Sequence, residues 1–517
     1  MPTGGTDMSL LGFDIGTTGV KGVLVSDSGN MLCETNANYS VSSPKPGWYE
    51  QDPEDWWQAT LKVIQEIAKS SPQEMPLITG IGISGQYHGL VILDKDDKVI
   101  RPAILWNDQR TQQEADEIVD MVGEEKLLSI SATKGAPYFT ACKLRWVLNN
   151  EPHNYKKIKK MMLPKDYVRF KLTGEYVTDV SDASGTLFLD VKKRNWSKEI
   201  TSILGVDFSI LPHVVESSHI SARVSKEAAN LTGLKEGTPV AGGGGDQACA
   251  AIGNGLTKEG IVSYSIGTSG VIYGVTNSLI VDNLGRFDVF CHAIPDTWCV
   301  LACTNAAAAS YDWFLKAMAQ KEELDAKTNK MNAFAYLDNL AEQITPGSNK
   351  LLYLPYLSGE RHPYTDTNAR GVFLGIHTGH KKEHFIRAVL EGVAFSFRHC
   401  LDGIREHGIK IEEIRATGGG AKSDLWLNIQ AHVSGQAIRR MDKDSGGAAF
   451  GAAILGGVCA NNFSSVDQAC EALVKPGNLV QLDLSLAKKY DKLFQIYKSL
   501  YPLLKSTYSD LAKLDLS

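Results

Sequence analysis

Asp246 has the sequence surroundings that most clearly predict catalysis in this 517-residue chain. Four consecutive glycines precede it, and because glycine adds no core packing and costs backbone entropy, we expect them to allow close approach of the backbone to another group. Residues 247–252 are typical of a helix, which places Asp246 at a helix N-terminus, where the dipole keeps a carboxylate ionised. Such a base could accept the proton of a sugar hydroxyl that attacks phosphorus. The alternative is an ordinary N-cap, which needs no glycine run.

A glycine-containing hexapeptide occurs twice, half a chain apart. Residues 15–20 (IGTTGV) return as residues 266–271 (IGTSGV), each within an apolar alternating stretch that predicts a β-hairpin. Glycines bring backbone N–H groups close to a ligand, so two facing turns would clamp a polyphosphate. The spacing indicates a duplication with shared function, whereas the alternative is two ordinary turns. The candidate phosphate-binding residues are Gly16, Thr17, Thr18, Gly267, Thr268 and Ser269.

Asp14 precedes the first turn, whereas Ser265 holds the equivalent place before the second. A carboxylate beside a phosphate clamp is repulsive unless a cation lies between them, so Asp14 is a candidate Mg²⁺ ligand, acting through water. The alternative is that Asp14 caps a local turn. Lys21 lies just past the first turn and could offset phosphate charge, or it could be an ordinary exposed strand lysine.

A third glycine set, Gly418, Gly419 and Gly420, follows a predicted strand and opens a helix. That arrangement allows a nucleoside or pyrophosphate to approach the backbone closely, with Lys422 beside it. The segment is neither a Walker A loop nor a dinucleotide-binding fingerprint, so on its own it is weak evidence.

Polar residues follow two predicted strands of the first half. Gln86, Tyr87 and His88 lie between glycines at the end of a strand, where ligands of open α/β sheets usually bind. His88 could hydrogen-bond a polyol, although a lone histidine is as often structural. Trp106 and Asp108 belong to a polar stretch after another strand, and we expect them to line the same pocket.

The composition is that of an ordinary globular enzyme. Hydrophobic residues make up 43% and charged residues 22%, and a net charge of −6 argues against non-specific binding to nucleic acid or membranes. No apolar run is long enough to span a membrane, and residues 1–9 predict a loose leader rather than a secretory signal. Nine cysteines form no CxxC pair, and Cys291, Cys299 and Cys303 fit a buried strand pair better than a zinc site. We therefore expect a cytoplasmic protein.

The elements that must position these residues alternate between strands and helices. A helix is predicted to begin after Asp52, which supplies an N-cap before a first-turn proline. Strands are predicted over residues 78–84, 351–356 and 413–417, and helices over 383–398, from 423 and over 447–456. Residues 486–514 are predicted to be helical with a break before Pro502. Hairpins within this alternation predict α/β halves with mixed sheets.

The sequence resembles a known family, the FGGY carbohydrate kinases of the actin/hexokinase/Hsp70 superfold. Residues 138–146 fit one family signature, and residues 371–376 continuing to 388–391 fit the other. Four further stretches are similar to the members that phosphorylate D-xylulose: 85–89 (GQYHG), 104–108 (ILWND), 163–167 (LPKDY) and 356–361 (YLSGER). The resemblance runs from about residue 10 to residue 455.

The resemblance implies two actin/hexokinase-like (ribonuclease H-like) α/β domains with a cleft between them. These would be a sugar-binding domain over residues 8–255, an ATP-binding domain over 256–490 and a C-terminal helical tail over 491–517. It implies ATP- and Mg²⁺-dependent phosphorylation of a ketopentose, with D-xylulose expected and Asp246 as the base. By position, Tyr87 and His88 would contact the sugar, the two turns the phosphates, and the third glycine set the adenosine. Family members often form homodimers.

Two departures from the family pattern leave the identity of the sugar open. Tyr87 stands where many D-xylulose kinases carry Met, and Gln247, which we place in the sugar pocket, stands where an Asn often follows the base. Ribulose, another ketose, gluconate or glycerol are therefore alternative substrates. An actin- or Hsp70-like conformational ATPase and a catalytically silent sugar sensor are the non-kinase alternatives, and both predict that ATP turnover does not rise steeply when sugar is added.

Overall fold

The computed structural model describes residues 8–441 and 447–514. Residues 1–7 of the predicted leader and residues 515–517 of the predicted tail lie outside the described residues. The strands in the described part are β1 (Ser9–Ile15), β2 (Gly19–Ser26), β3 (Met31–Asn38), β4 (Glu50–Gln51), β5 (Ile78–Gly85), β6 (Val91–Leu93), β7 (Ala103–Ile104), β8 (Lys160–Met162), β9 (Val177–Asp179), β10 (Leu189–Asp190), β11 (Asn195–Trp196), β12 (His213–Val215), β13 (Ile220–Arg223), β14 (Pro239–Ala241), β15 (Gly244–Gly245), β16 (Ile261–Ile266), β17 (Gly270–Thr276), β18 (Asp288–Cys291), β19 (Trp298–Thr304), β20 (Leu352–Leu354), β21 (Val372–Leu374), β22 (Glu413–Thr417), β23 (Ile438–Met441) and β24 (Pro476–Val480).

The helices surround these strands. They are α1 (Pro53–Ser70), α2 (Gln112–Val122), α3 (Glu124–Ser131), α4 (Thr140–Asn150), α5 (Pro152–Tyr155), α6 (Pro164–Thr173), α7 (Val180–Ser184), α8 (Lys198–Ile203), α9 (Lys226–Thr232), α10 (Asp246–Gly253), α11 (Ala308–Met318), α12 (Gln320–Thr328), α13 (Ala333–Glu342), α14 (Lys382–Glu406), α15 (Asp424–Ser434), α16 (Ala448–Cys459), α17 (Val466–Leu473) and α18 (Leu484–Lys513). The predicted start of α1 is confirmed, since the Asp52 carboxylate accepts the N–H of Glu54.

The first sheet is built around the predicted hairpin. Its strand order is β13-β14-β5-β1-β2-β3, with β15 also paired to β5. Strands β1 and β2 pair in antiparallel register, whereas β1 and β5 run parallel. Leu10, Leu11, Phe13 and Ile15 on β1 are all buried, so both faces of the sheet are covered. The prediction of a mixed sheet is confirmed.

The second sheet repeats this topology. Its order is β18-β19-β17-β16-β22-β23-β24, again with an antiparallel hairpin (β16 and β17) and a parallel neighbour (β22). Strands β16, β17, β22 and β23 thus correspond to β1, β2, β5 and β14. The hexapeptide repeat therefore marks the same turn in two equivalent sheets, as a duplication predicts. Cys291, Cys299 and Cys303 lie on the paired strands β18 and β19, which confirms their predicted placement.

Helix α16 packs so closely on the first sheet that backbone meets backbone. A Cβ added at Gly12 would lie 2.0 Å from the carbonyl oxygen of Ala449, and one at Gly82 would lie 1.8 Å from that of Ala452. Helix α16 also packs on α10 through Gly451, whose added Cβ would lie 1.8 Å from the carbonyl oxygen of Cys249. This small-residue packing fixes the position of α10, which begins with Asp246.

The predicted helix break before Pro502 is wrong. Helix α18 runs unbroken from Leu484 to Lys513 with Pro502 inside it. The proline lies on the exposed face, while Tyr497, Tyr501 and Tyr508 are buried against the rest of the protein. Tertiary packing of these rings outweighs the loss of one backbone hydrogen bond at the proline. The predicted boundary at residue 491 falls within this helix.

Two further features concern membrane-spanning helices and the cysteines. Among residues 8–441 and 447–514, no helix is long and apolar enough to cross a membrane. All nine cysteines lie in the described part of the chain, and all are free thiols.

Candidate active site

Asp246 is the first residue of α10, at the helix N-terminus as the sequence predicts, and the N-cap is Gly245 and not Asp246. Its Oδ1 accepts the backbone N–H of Gln247 at 2.8 Å. The side chain lines a cleft of about 710 Å³ together with Asp14 and Gln247 from the first half and Gly418, Gly419 and Lys422 from the second. The cleft therefore brings the candidate base, the candidate metal ligand and the glycine turn together between the two halves.

The expectation that Asp246 stays fully ionised is wrong. Removal from water, followed by the negative charge of Asp14, raises the pKa of the Asp246 carboxyl to about 7, although the hydrogen bonds from Gln247 act in the opposite direction. The helix N-terminus is thus outweighed by desolvation and a like charge. A carboxyl with a pKa near the operating pH is well matched to general-base catalysis.

Asp14 lies near the end of β1, opposite Lys21 on β2. Its Oδ1 accepts the hydroxyl of Ser84 at 2.9 Å. Burial raises the pKa of Asp14, while the Ser84 hydroxyl and the charge of Lys21 lower it in part. Lys21 itself pairs with Glu34 at 2.9 Å and remains 45% exposed, so its contact with phosphate stays a prediction.

The glycines before Asp246 make the close backbone approach that the sequence predicts, and the groups they approach are parts of the protein. Gly243 has φ +72° and an added Cβ would lie 2.0 Å from the carbonyl oxygen of Ile83. At Gly245 an added Cβ would lie 2.0 Å from the ring of Tyr87. The run of glycines lets the loop pass between the end of β5 and the Tyr87 ring, so that it presents Asp246 to the cleft.

The side chains of Gln86, Trp106 and Tyr39 hold the first hairpin turn. The Thr17 hydroxyl donates to Gln86 Oε1 at 3.1 Å and accepts the indole N–H of Trp106 at 3.0 Å. Tyr39 donates its hydroxyl to the carbonyl oxygen of Gly16. Thr18 is exposed at the tip. Gln86 and Trp106 therefore contact the first hairpin turn directly, a link that their sequence positions did not indicate.

The second hairpin turn leads into a nucleotide-sized pocket. The carbonyl oxygens of Gly267 and Thr268 accept N–H groups at the start of α11, and the Thr268 and Ser269 side chains are exposed. Thr268 lines a pocket of about 570 Å³. This pocket shares Gly419 and Lys422 with the Asp246 cleft, so the two are adjacent.

The three glycines of the third set have different surroundings. Gly418 has φ +88° and packs against the backbone of Ile266, and Gly420 packs against Ile266 and Trp426. An added Cβ at Gly419 would meet nothing within 4 Å, and Gly419 lines both pockets. Gly419 is therefore the glycine of this set with open space beside it, at the border of the two pockets.

The sequence did not indicate the walls of the nucleotide-sized pocket. Tyr311 and Phe334 form its apolar side, and the Tyr311 hydroxyl donates to Asp338 Oδ1 at 2.9 Å. An apolar surface with a few convergent polar groups suits a nucleoside. These residues come from α11 and α13 and share no local motif, so only the fold assembles them.

On the sugar side, His88 has a defined tautomer. It adopts φ +66°, and its Nδ1 lies 2.7 Å from the carbonyl oxygen of Gly185, so Nδ1 carries the proton and donates it. Burial holds the pKa of His88 well below its usual range. The neutral ring therefore leaves Nε2 as an acceptor for a hydroxyl hydrogen bond.

Tyr87 and Asp108 are both buried but differ in their partners. The Tyr87 hydroxyl has no hydrogen-bond partner among the described residues. In contrast, Asp108 accepts the N–H of Tyr49 at 2.6 Å and forms an ion pair with Arg110 at 2.7 Å. The contact of Asp108 with a sugar stays a prediction, since these partners occupy both of its oxygens.

Residues of the second half also reach the sugar side, which the sequence analysis did not anticipate. Asp288 on β18 accepts the hydroxyls of Thr133 at 2.5 Å and Tyr138 at 3.1 Å. The Arg361 guanidinium lies 3.8 Å from the centre of the Tyr138 ring, and that ring packs 5.3 Å from His88. In the sequence, the signal for this contact is the stretch 356–361 (YLSGER), which ends in Arg361.

Two equivalent α/β halves enclose a cleft lined by Asp14 and Asp246, and a nucleotide-sized pocket of the second half adjoins this cleft, which is the architecture of a two-domain sugar kinase. Family models agree. The model of the FGGY family of carbohydrate kinases, N-terminal domain, matches residues 9–253, and that of the C-terminal domain matches residues 262–460. The chain belongs to the FGGY family of carbohydrate kinases, so the resemblance predicted from its motifs is confirmed. As a member it binds a sugar and ATP.

Individual relatives are similar over almost their whole length. A xylulose kinase from Bacillus subtilis (strain 168) is 37% identical over 95% of this chain and 96% of its own. The crystal structure of a xyloylose kinase from Brucella ovis has a TM-score of 0.89 and 37% identity, covering 96% of this chain and 100% of that one. A xylulose kinase from Rhodospirillum rubrum has a TM-score of 0.90 and 29% identity, covering 97% and 100%.

Proposed function

We propose that this protein catalyses the ATP-dependent phosphorylation of D-xylulose to D-xylulose 5-phosphate, with Asp246 as the general base. The observation that carries the proposal is the position of Asp246 in a cleft that shares Gly419 and Lys422 with the nucleotide-sized pocket. The choice of sugar is supported by the near full-length similarity to proteins named as xylulose kinases.

The reaction requires that the terminal hydroxyl of the sugar lose its proton as its oxygen attacks the γ-phosphorus. Asp246 is deprotonated in a large fraction of molecules at neutral pH, because the pKa of its carboxyl is about 7. The hydrogen bond from the Gln247 N–H to Oδ1 leaves Oδ2 to accept the proton. Asp246 thus orients the nucleophile and takes its proton, while in-line positioning supplies most of the rate enhancement.

Nucleotide binding is assigned to the second half. The base and ribose would occupy the pocket of Tyr311 and Phe334, with the open side of Gly419 beside them. The phosphates would extend along the cleft past Lys422 toward the two hairpin turns. The exposed Thr18, Thr268 and Ser269 supply hydroxyl donors at the turn tips, and these residues do not have to leave the core to reach a phosphate.

A magnesium ion fits the acidic side of this cleft. Asp14 is a carboxyl whose pKa burial raises, close enough to Asp246 that its charge raises the pKa of Asp246, and a cation would relieve both penalties. Mg²⁺ needs only one or two carboxylates, since waters and phosphate oxygens complete its shell. We assign Asp14 as its protein ligand, through water. When bound, Mg²⁺ would offset the charge that develops on the transferring phosphoryl group.

Sugar recognition is assigned to the turn after β5. His88 Nε2 would accept a sugar hydroxyl, and the Tyr87 hydroxyl, which lacks a protein partner, would bond to another. A site built around such groups discriminates against sugars that leave them unpaired. We also assign Gln247, which lines the Asp246 cleft, and Trp106, which bonds to Thr17, to sugar recognition. A cytoplasmic location, which the free thiols support, and a homodimer both stay predictions.

A coupled assay of ADP release with Mg-ATP tests the proposal. The panel would contain D-xylulose, D- and L-ribulose, D-fructose, D-gluconate and glycerol, and we expect D-xylulose to give the highest kcat/KM. A higher value for another polyol would refute the sugar assignment and make Tyr87 and Gln247 the residues to exchange. ADP release that no polyol accelerates would refute the kinase proposal and support a conformational ATPase.

A further inference from the structure

Five buried charged residues lie behind the loop that carries Asp246, and the proposed mechanism gives them no role. Lys165 Nζ lies 2.6 Å from Asp166 Oδ1, 2.8 Å from Asp179 Oδ1 and 3.3 Å from Asp182 Oδ2, and Arg169 also pairs with Asp166. All five side chains are at most 1% exposed. We call these five residues the buried ionic cluster. Because burial of such pairs rarely adds net stability, their placement calls for another explanation.

The buried ionic cluster holds both ends of the glycine run, one end directly and the other through Ser181. At the first end, Arg169 Nη1 donates to the carbonyl oxygen of Gly242 at 2.6 Å. At the other end, Asp179 Oδ2 accepts the Ser181 hydroxyl at 2.5 Å, and the same hydroxyl oxygen accepts the N–H of Gly245 at 3.3 Å. Residues 242–245 are therefore held at both ends by groups whose own positions the ionic cluster fixes.

Ser181 is the link nearest to the reacting groups. Its backbone N–H also donates to Asp179 Oδ2, at 2.8 Å, so the residue is anchored by two hydrogen bonds to one carboxylate oxygen. A Cβ added at Gly244 would lie 3.0 Å from the Ser181 oxygen, so the loop rests directly on this hydroxyl. Gly245 is the N-cap of α10 and Asp246 follows it, so a shift of Gly245 is transmitted to Asp246.

We propose that Ser181 is a positioning residue for the phosphoryl-transfer reaction. It transfers the fixed geometry of the buried ionic cluster to the Gly245 N–H and thereby sets the position of Asp246 in the cleft. This inference rests on the proposed function, in which Asp246 is the general base. Ser181 does not contact the substrate in this account, and it acts only through the loop.

The chain offers a matched control in Ser217. Its hydroxyl also donates to Asp179 Oδ2, at 2.8 Å, and it is equally buried. Within the described part of the chain, this hydroxyl bonds to Asp179 alone. The Ser217 carbonyl oxygen accepts the N–H of Gly243, a contact that an alanine retains. Ser181→Ala and Ser217→Ala therefore each remove one hydroxyl that donates to Asp179. Only Ser181→Ala also removes the oxygen that accepts the Gly245 N–H.

Steady-state kinetics and thermal unfolding of both variants test the proposal. We expect Ser181→Ala to lower kcat about 10- to 100-fold with the KM values for sugar and ATP within about twofold, since small misplacements of a catalytic group carry costs of this size. Ser217→Ala should keep kcat within about twofold at a similar loss of Tm. Equal kcat losses in the two variants, or an unchanged kcat in Ser181→Ala, would overturn the proposal.

A second measurement does not depend on turnover. Hydrogen exchange of a peptide that contains Gly245 should be faster in Ser181→Ala than in Ser217→Ala, because only the former releases that N–H. Equal exchange in the two variants would overturn the proposal even if both lose activity. The proposed function is tested separately by Asp246→Asn, so a failure of the Ser181 link leaves the role of Asp246 standing and is distinguishable from its failure.

Discussion

Asp246→Asn should lower activity and raise stability at the same time. The amide has almost the same shape as the carboxyl and retains an oxygen for the Gln247 N–H, which lies 2.8 Å from Oδ1 in the wild type. It cannot accept the proton of the sugar hydroxyl. General-base catalysis typically contributes about 10²- to 10⁴-fold, so we expect kcat to fall by that factor while the KM for sugar changes little.

The gain in stability follows from the raised pKa of Asp246. Its carboxyl has a pKa of about 7 in the folded protein, against an ordinary value of 3.8. Since the folded state then binds more protons than the unfolded state between these values, the Asp246 contribution to stability decreases as the pH rises from about 4 to 7. At 1.36 kcal/mol per pKa unit the upper limit of this cost is about 4 kcal/mol, and because the side chain borders the open cleft, screening reduces it to about 2 kcal/mol.

Urea unfolding of the ligand-free wild type and of Asp246→Asn at about pH 5 and pH 8 would measure this cost. The variant should be more stable at both values, with a larger advantage at pH 8 than at pH 5. An advantage that does not grow with pH would refute the raised pKa of Asp246. Near-normal turnover in the variant would refute its role as the base.

Three further predictions address the cleft. The kcat/KM of the wild type for Mg-ATP, which reports the enzyme before Mg²⁺ binds, should rise with pH to a plateau above about pH 7, because Asp246 acts when deprotonated. Asp14→Asn loses the assigned metal ligand and should be slower at every pH, but its acid limb should lie at lower pH, because the like charge that raises the pKa of Asp246 is gone. A flat profile would contradict this account. Gly419→Ala should raise the KM for ATP at unchanged Tm, because the added Cβ meets no protein atom within 4 Å. Gly420→Ala should instead lower Tm, since its Cβ would lie 2.4 Å from the buried Ile266 side chain. The reverse pattern would exclude Gly419 from the nucleotide site. Tyr87→Phe should raise the KM for the sugar without lowering Tm, because the lost hydroxyl has no partner among the described residues; an unchanged KM would exclude that hydroxyl from sugar recognition.

Local patterns in the sequence were sufficient to predict the elements that carry the site. The repeated hexapeptide gave both hairpins, since alternation and a glycine turn determine such a structure over about fifteen residues. The glycine run and the segment after it gave the N-terminus of α10 at Asp246. Both predictions depend on neighbours in sequence, which is why they could be made without the fold.

Properties that depend on distant contacts could not be predicted in this way. The pKa of Asp246 depends on burial and on Asp14, which lies far away in sequence. The glycines before it predict a close backbone approach, but the groups that they approach, the β5 backbone and the Tyr87 ring, become adjacent only in the folded sheet. Likewise, Pro502 is tolerated in α18 because tertiary packing holds the helix around it.

Phosphorus-31 NMR of a reaction containing the protein, Mg-ATP and D-xylulose tests the central claim most directly, because it shows where the γ-phosphoryl group goes. The account predicts that ATP is consumed only when sugar is present and that the phosphorus appears as a sugar phosphomonoester at the terminal carbon. Release of inorganic phosphate at a rate independent of the sugar would contradict it.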